Sequence, residues 1–317
     1  ILLDMDLRTG PLELDRLASA FETVAKDRDA RSTQGLFGVP LEGTVRLKSE
    51  SLSYEQFTWA PFHAYIAIAP GEVHVNITEA NWCGISTPGV VVATPQEIFL
   101  DFQPVAANQP LSPVLNCLPL QHAQMTGNFD LKGHVTARGK AEKLMESLQG
   151  DLEFVAKEGR IQRHIPLAKV FAFLNVTEAF RGKPLGFDKE GLAYDSLSVK
   201  GKFEKGKLLV KEAVLDGVTM EIAGHGEISL IDKKMDAQIL VAPFRTIDWV
   251  IKKTPLVGYI LAGTLVSIPI KVTGEIDNPK VTPLPASAVG SGLLGMMKRT
   301  FKLPIKVIEA VLPKNKK

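Results

Sequence analysis

Between Leu197 and Val241 apolar and polar residues alternate in short runs, LSVKGKF, KLLVKEAVL, VTMEIAG, EISLI and MDAQILV, separated by EKG, DG, HG and DKK. A period of two broken by turn residues predicts an antiparallel meander. Parity places Val218, Met220 and Ile222 on one side of it and Thr219, Glu221 and Ala223 on the other. Leu197, Val199 and Phe203 likewise oppose Ser198, Lys200 and Lys202. Such a sheet has one apolar face and one wetted face.

A looser version of the pattern comes earlier. Residues 64–69 read AYIAIA, residues 73–78 read VHVNIT, and Phe129, Leu131 and Val135 alternate through NFDLKGHVTA. AEKLMESLQG then predicts a short helix ending at Gly150, and DLEFVAKEGRI predicts a return to strand with a turn at Glu158 and Gly159. Pro166 opens PLAKVFAFLNVTEAFRG, the pattern of an amphipathic helix closed by Gly182, and LELDRLASAFETVAKD near the N-terminus is another helix candidate. About a dozen strands with an apolar face, set against few helices, must close as a sandwich or barrel or curl into a groove that holds something apolar. Periodicity does not choose among these.

LVGYILAGTLVSIPIKV, residues 256–272, breaks the alternation with fifteen apolar or small residues up to Ile270. A bilayer-spanning helix needs roughly twenty. Gly258, Gly263 and Pro269 interrupt this run, which argues against a simple transmembrane helix. The expectation is a short turn or helix over Leu256–Ala262, then a late strand over Val266–Val272 that admits Pro269 at an edge or bulge.

Hydrophobic residues form 45% of the 317 and charged ones 23%, the balance of a folded protein. The net charge of +2 conceals an acidic body and a basic tail: residues 298–317 hold Lys298, Arg299, Lys302, Lys306, Lys314, Lys316 and Lys317 against Glu309 alone. This distribution argues against nucleic acid as a partner and suits a tail that meets an anionic membrane surface. Val289, Leu293, Leu294, Met296, Met297 and Phe301 fall on one helical arc, with Ser291, Lys298, Arg299 and Lys302 on the other. That helix either lies in a membrane interface or caps the end of the sheet.

No recognisable chemistry appears. The six histidines have no metal-ligand spacing, and P-loop, dinucleotide-binding and nucleophile-elbow motifs are missing. The reading is non-enzymatic, with no catalytic residues, no metal and no cofactor. Cys83 and Cys117 are too few for a disulfide scaffold or a zinc site and suffice for one bridge.

The order of these pieces resembles the C-terminal domain of AsmA-like proteins. The Tyr194-Asp195 strand is followed by turns at Lys205-Gly206, Asp216-Gly217 and Gly224-His225-Gly226 and by a strand ending in Pro243. Upstream, MTGNFDLKGHVTARGKAEKLMESLQGDLEFVAKEGRI is similar to the family's preceding unit. Downstream, Gly263, Leu265, Pro269, Ile270, Val272, Gly274, Pro279 and Val281 match its closing segment, with Ile270 for the more usual valine. The likeness covers residues 125–303 well and residues 1–124 loosely.

The resemblance implies a mainly β fold with a few helices (α+β), an antiparallel meander curled into an elongated open groove with an amphipathic helix at the C-terminus. It divides the chain into an upstream β-groove unit at 1–124, an AsmA-like unit at 125–285 and a basic helical tail at 286–317. It also implies a periplasmic protein held by an N-terminal inner-membrane helix outside this sequence, moving phospholipid toward the outer membrane with possible envelope protein partners. Acyl chains would then lie on Leu197, Val199, Phe203, Val218, Met220, Ile222, Ile228, Leu230, Met235, Ile239 and Val241, with Phe129, Leu131 and Val135 upstream. Leu293, Leu294, Met297, Phe301, Lys298, Arg299 and Lys302 would contact membrane. In an oxidising periplasm a Cys83–Cys117 disulfide is favoured over two buried thiols. The alternative is an envelope assembly factor with a filled core and no lipid cargo.

Overall fold

In the computed structural model the alternating runs form strands, and residues 2–16, 42–117, 124–163, 169–170, 172–173, 191–243, 265–301 and 305–307 are described. The strands are β1 (Leu2–Thr9), β2 (Leu12–Glu13), β3 (Glu42–Ser49), β4 (Leu52–Tyr54), β5 (Phe57–Trp59), β6 (Phe62–Ala69), β7 (Glu72–Trp82), β8 (Ile85–Ser86), β9 (Gly89–Ala93) and β10 (Ile98–Phe102). They continue with β11 (Val105–Pro110), β12 (Gln124–Met125), β13 (Asn128–Gly139), β14 (Gln149–Arg163), β15 (Leu192–Glu204), β16 (Lys207–Gly217) and β17 (Met220–Ser229). Last come β18 (Lys234–Pro243), β19 (Leu265–Glu275), β20 (Lys280–Pro283) and β21 (Ile305–Val307). Eighteen belong to one mixed sheet, and β2, β4 and β5 form a small separate one. Short helices occupy Leu111–Cys117, Leu144–Ser147 and Ser291–Phe301. The fold is mainly β, as the alternation predicts.

The chain divides into two units. The first comprises 1–107, 131–151 and 204–206. Its ladder begins with β1 parallel to β3 and continues antiparallel through β6, β7, β9, β10 and the second half of β13. The β7–β8 hairpin turns on Cys83 (φ 54°) and Gly84 (φ 87°), the left-handed pair that matches strand twist. Asn81 Oδ1 accepts the Gly84 N–H at 2.8 Å. A cysteine in left-handed backbone costs about 1 kcal/mol or more, so turn preference does not explain it. Both cysteines are disulfide-bonded.

The second unit comprises 108–130, 152–203 and 207–317. Here β16, β17, β18, β19 and β20 form the meander, every neighbour antiparallel. Lys205 (φ 50°) and Gly206 (φ 72°) make the two-residue turn from β15 to β16. Pro269 lies inside β19, opposite Leu240. On the other side β20 pairs residues 270–273 and β21 pairs residues 265–267, so the proline falls in the gap between two partners. Its carbonyl accepts the Leu284 N–H at 3.1 Å, and its missing donor faces the point where β20 ends. The expected strand is present, and the expected edge is a local gap. The turn or helix expected at Leu256–Ala262 and most of the helices expected at 12–27 and 166–182 lie outside the described residues.

Two expected turns are corrected, the first at Gly224-His225-Gly226, where β17 runs on as unbroken strand. Glu158 and Gly159 make no turn: β14 runs through them to Arg163. Glu158 is locally left-handed (φ 51°), and a Cβ on Gly159 would stand 2.0 Å from the Thr126 carbonyl oxygen and 2.5 Å from the Tyr194 hydroxyl. Gly159 is therefore set by close approach. Tyr194, 2% exposed, crosses this gap and donates its hydroxyl to Thr126 O at 2.6 Å. Burial pushes its pKa upward.

The C-terminal helix Ser291–Phe301 buries Leu293, Met296 and Met297 against Val214, Ala223, Leu240 and Ala242, with Val289 and Leu294 at the margin. Three measurements follow. Tyr194→Phe should lower stability by about 1 kcal/mol in urea unfolding, the value of one hydrogen bond. Because the folded phenol titrates above its unfolded value, its contribution persists below pH ~10 and is lost as pH rises further. Met297→Ala should cost about 2–4 kcal/mol, the scale of a core truncation. Non-reducing peptide mapping should recover Cys83 joined to Cys117, and reduction should remove roughly 3–4 kcal/mol for a closed loop of about 35 residues.

Candidate functional site

Register carries the apolar side of each strand onto its neighbour. In the second unit four lateral rows result: Leu208–Ile228–Met235–Gly274, Val210–Gly226–Ala237–Val272–Val281, Ala213–Gly224–Ile239–Ile270–Pro283 and Leu215–Ile222–Val241–Ile268. No charged side chain interrupts them. A bulge between Val210 and Ala213 shifts β16 by one residue and keeps its apolar positions on this face. Gly224 and Gly226 admit the close approach of β18: an added Cβ would meet Ile239 Cγ2 at 2.6 Å and Asp236 O at 2.4 Å. The opposite face holds Glu221, His225 and Glu227 beside Gln238, Asp236 and Lys271, with ion pairs Lys207–Glu227 and Lys271–Asp236 at 3.0 Å.

The rows differ in exposure along the strands. Val241, Ile268 and Ile270 are fully buried, whereas Leu208, Ile228, Met235 and Ile239 stay half-exposed. Among the described residues the apolar face is largely buried at one strand end and only partly buried at the other, except on β19, where Val272 is also buried.

The first unit repeats the arrangement on its own residues. Its rows are Leu3–Gly43–Ile68–Val73–Ala93–Ile98–Gly139, Met5–Val45–Ile66–Val75–Val91–Leu100–Ala137 and Leu7–Leu47–Ala64–Ile77–Gly89–Phe102–Val135. The other face carries Arg46–Asp6 (2.9 Å), His63–Glu79 (2.7 Å), His134–Asp101 (2.8 Å) and Arg138–Glu97 (2.6 Å), with the Arg138 guanidinium 4.7 Å above the Phe99 ring.

Of the positions read from sequence, Ile222, Ile228, Met235 and Ile239 lie half-exposed on the apolar face of the second unit, and Val135 on that of the first. A Cβ at Gly201 would meet Leu208 Cδ1 at 2.8 Å, which sets Leu197, Val199 and Phe203, of the same parity in β15, on that face too. Met220 and Val241 share the face and are fully buried. Phe129 and Leu131 are also buried, Phe129 stacked on Phe154 with centroids 5.5 Å apart. Val218 and Leu230 are corrected: both sit in turns outside the strands, Val218 54% exposed. The alternation runs on through Asp216-Gly217 and past Ser229, and there the backbone turns.

Leu293 and Met297 also move from their expected place. They are fully buried on the sheet face opposite the apolar rows, Leu294 is partly buried beside them, and Lys298 and Arg299 point to solvent. In this arrangement the apolar side of the helix is covered by its own sheet, because Ala223 and Ala242 leave room for it. The side chain of Phe301 and the whole of Lys302 lie outside the described residues. The site residues read from sequence left out Leu208 and Val210 and, apart from Val135, the rows of the first unit, although the alternation in AYIAIA and VHVNIT was legible.

Among the described residues no cluster of His, Cys, Asp and Glu could hold a metal ion, and no helix is long and apolar enough to cross a membrane. No curated protein and no solved structure matches the chain. The family model described as YhdP protein matches residues 101–281, from β10 through β19 and into β20. The chain belongs to the YhdP protein family, within the AsmA-like proteins of the bacterial envelope.

Proposed function

We propose that the chain transfers phospholipid between the inner and outer membranes of a diderm bacterium, holding acyl chains on its apolar sheet faces without performing chemistry. The observation that carries this reading is the set of uninterrupted apolar rows left half-exposed at one strand end, as at Ile228, Met235 and Ile239. A continuous apolar face that is only partly buried in an envelope protein suits an interaction surface. Each methylene of an acyl chain taken from water contributes about 0.8 kcal/mol, so hydrocarbon is held against water without a polar site. Because neighbouring rows offer similar surfaces, a chain sliding from one to the next exchanges like for like. Periplasmic location and an inner-membrane anchor beyond this sequence are part of the same proposal.

The competing reading is an assembly factor whose faces are covered by protein. The fully buried Val241, Ile268 and Ile270 favour it at one strand end only. A photoreactive p-benzoylphenylalanine at Met235 or Ile239 of the full-length protein separates the two: phospholipid adducts support transfer, and exclusively protein adducts overturn it. Ile239→Glu should preserve the fold, since the position is half-exposed, and reduce co-purified phospholipid about tenfold, the effect of 1.4 kcal/mol.

A further inference from the structure

The apolar face of the first unit is blocked at one strand end by a structure the transfer reading does not require. β1 and β3 both leave the main sheet at this end, at Gly10 and at Glu50–Ser51, and re-pair in parallel as β2 and β4, Leu12 opposite Leu52. Ser49, 3% exposed, holds the corner: its hydroxyl contacts Gly10 O at 2.8 Å and Ser51 O at 2.7 Å. The β4–β5 hairpin then sets Trp59 opposite Leu52. Leu52 belongs to one core with Leu47, Phe62, Ala64 and Ile77, against which Leu12 and Trp59 pack. Phe57 closes the outside, edge-on to Trp82 with centroids 5.5 Å apart.

Among the described residues the other end of the same face has no such cover. Ile66, Ile68, Val73, Val75 and Ile98 are half-exposed beside the Pro70–Gly71 and Pro95–Gln96 turns. Their three rows contain no hydrogen-bonding side chain. A peptide seated there would bring N–H and C=O groups with nothing to pair them, at about 1–3 kcal/mol each. Hydrocarbon brings none. A surface closed at one end and open to water at the other suits a molecule with one apolar and one polar end.

We infer that the β2–β4–β5 sheet is an end wall that fixes the orientation of an amphiphile on this unit: acyl chains lie over Ile66, Ile68, Val73 and Ile98 with their ends toward Trp59, and the head group sits at the Pro70–Gly71 and Pro95–Gln96 rim. This rests on the lipid reading and goes further, since that reading allows cargo anywhere on the apolar face. The wall makes half of the face structural and the other half a seat.

Photocrosslinking in the full-length protein tests it, with p-benzoylphenylalanine placed singly at Ile68, Val73 or Ile98 on the open side and at Phe62 or Phe102 near the wall. Phospholipid adducts are expected at the open positions and about tenfold fewer near the wall, where close packing excludes a chain. Equal yields at both sets overturn the wall while leaving lipid transfer intact. Lipid adducts at Met235 or Ile239 with none at any first-unit position overturn the seat alone, and no lipid adduct at any of these positions sinks the transfer reading as well. A second variant guards against a misfolded probe. In Trp59→Ala, Phe62-site adducts should rise several-fold while Ile68-site adducts persist; unchanged Phe62-site yield with Ile68-site labelling intact counts against the wall.

Discussion

Everything distinctive in this molecule depends on strand register. A strand presents alternate residues to opposite faces, so a slip of one position would carry its whole apolar set to the wetted side. Here Met5, Val45, Ile66, Val75, Val91, Leu100 and Ala137 align across seven strands of the first unit without a polar interruption. Such alignment survives irregularity only if each irregularity is compensated. The bulges at His63/Ala64 and Val210/Ala213 do so, each adding a residue where the strand must shift to keep its apolar side in line. Turns at Cys83-Gly84 and Lys205-Gly206 fix the offset of the strands they join.

Register makes an apolar face, and what covers that face decides its use. Among the described residues the cover in each unit lies mainly at one strand end. The second unit seals Val241, Ile268 and Ile270 and leaves Ile228 and Met235 half-exposed; the first seals Phe62 and Ile77 with a small sheet and leaves Ile68 and Val73. The C-terminal helix adds to the stability of the second unit without touching this balance, because it packs on the reverse side, over Ala223 and Leu240. Its charged side remains outward, so any attraction to an anionic surface through Lys298 and Arg299 acts with the helix in place.

Much of this was legible before the structure. Period-two alternation located the meander, and its parity assigned Ile222, Ile228, Met235 and Ile239 to the correct face, since parity is a local property of a strand. Failures arose where information is not local. Val218 continues the alternation but stands in the turn between β16 and β17, which their pairing determines and composition does not. Gly159 reads as a turn residue, yet its role is to make room for Tyr194, 35 positions later. The destination of the Leu293–Met297 arc was undecidable from amphipathicity alone, which says that one side must be covered and not by what. Ala223 and Ala242 were the clue, small residues leaving a shallow bed on a face otherwise polar.

A surface that solvates hydrocarbon equally well along its rows can hold a lipid and let it move, but it cannot choose a direction. The rows supply no gradient: Ile66, Val75, Val91 and Leu100 are near equivalents to a methylene chain. Asymmetry in the first unit runs along the strands, from Trp59 to the Pro70–Gly71 turn, and therefore across the row direction. Such an asymmetry can set which way a molecule faces and has no bearing on which way it travels. In the proposed transfer the sheet would set orientation, and direction would have to come from a difference between the two ends of the journey, such as lipid supply and removal or a partner that couples another energy source.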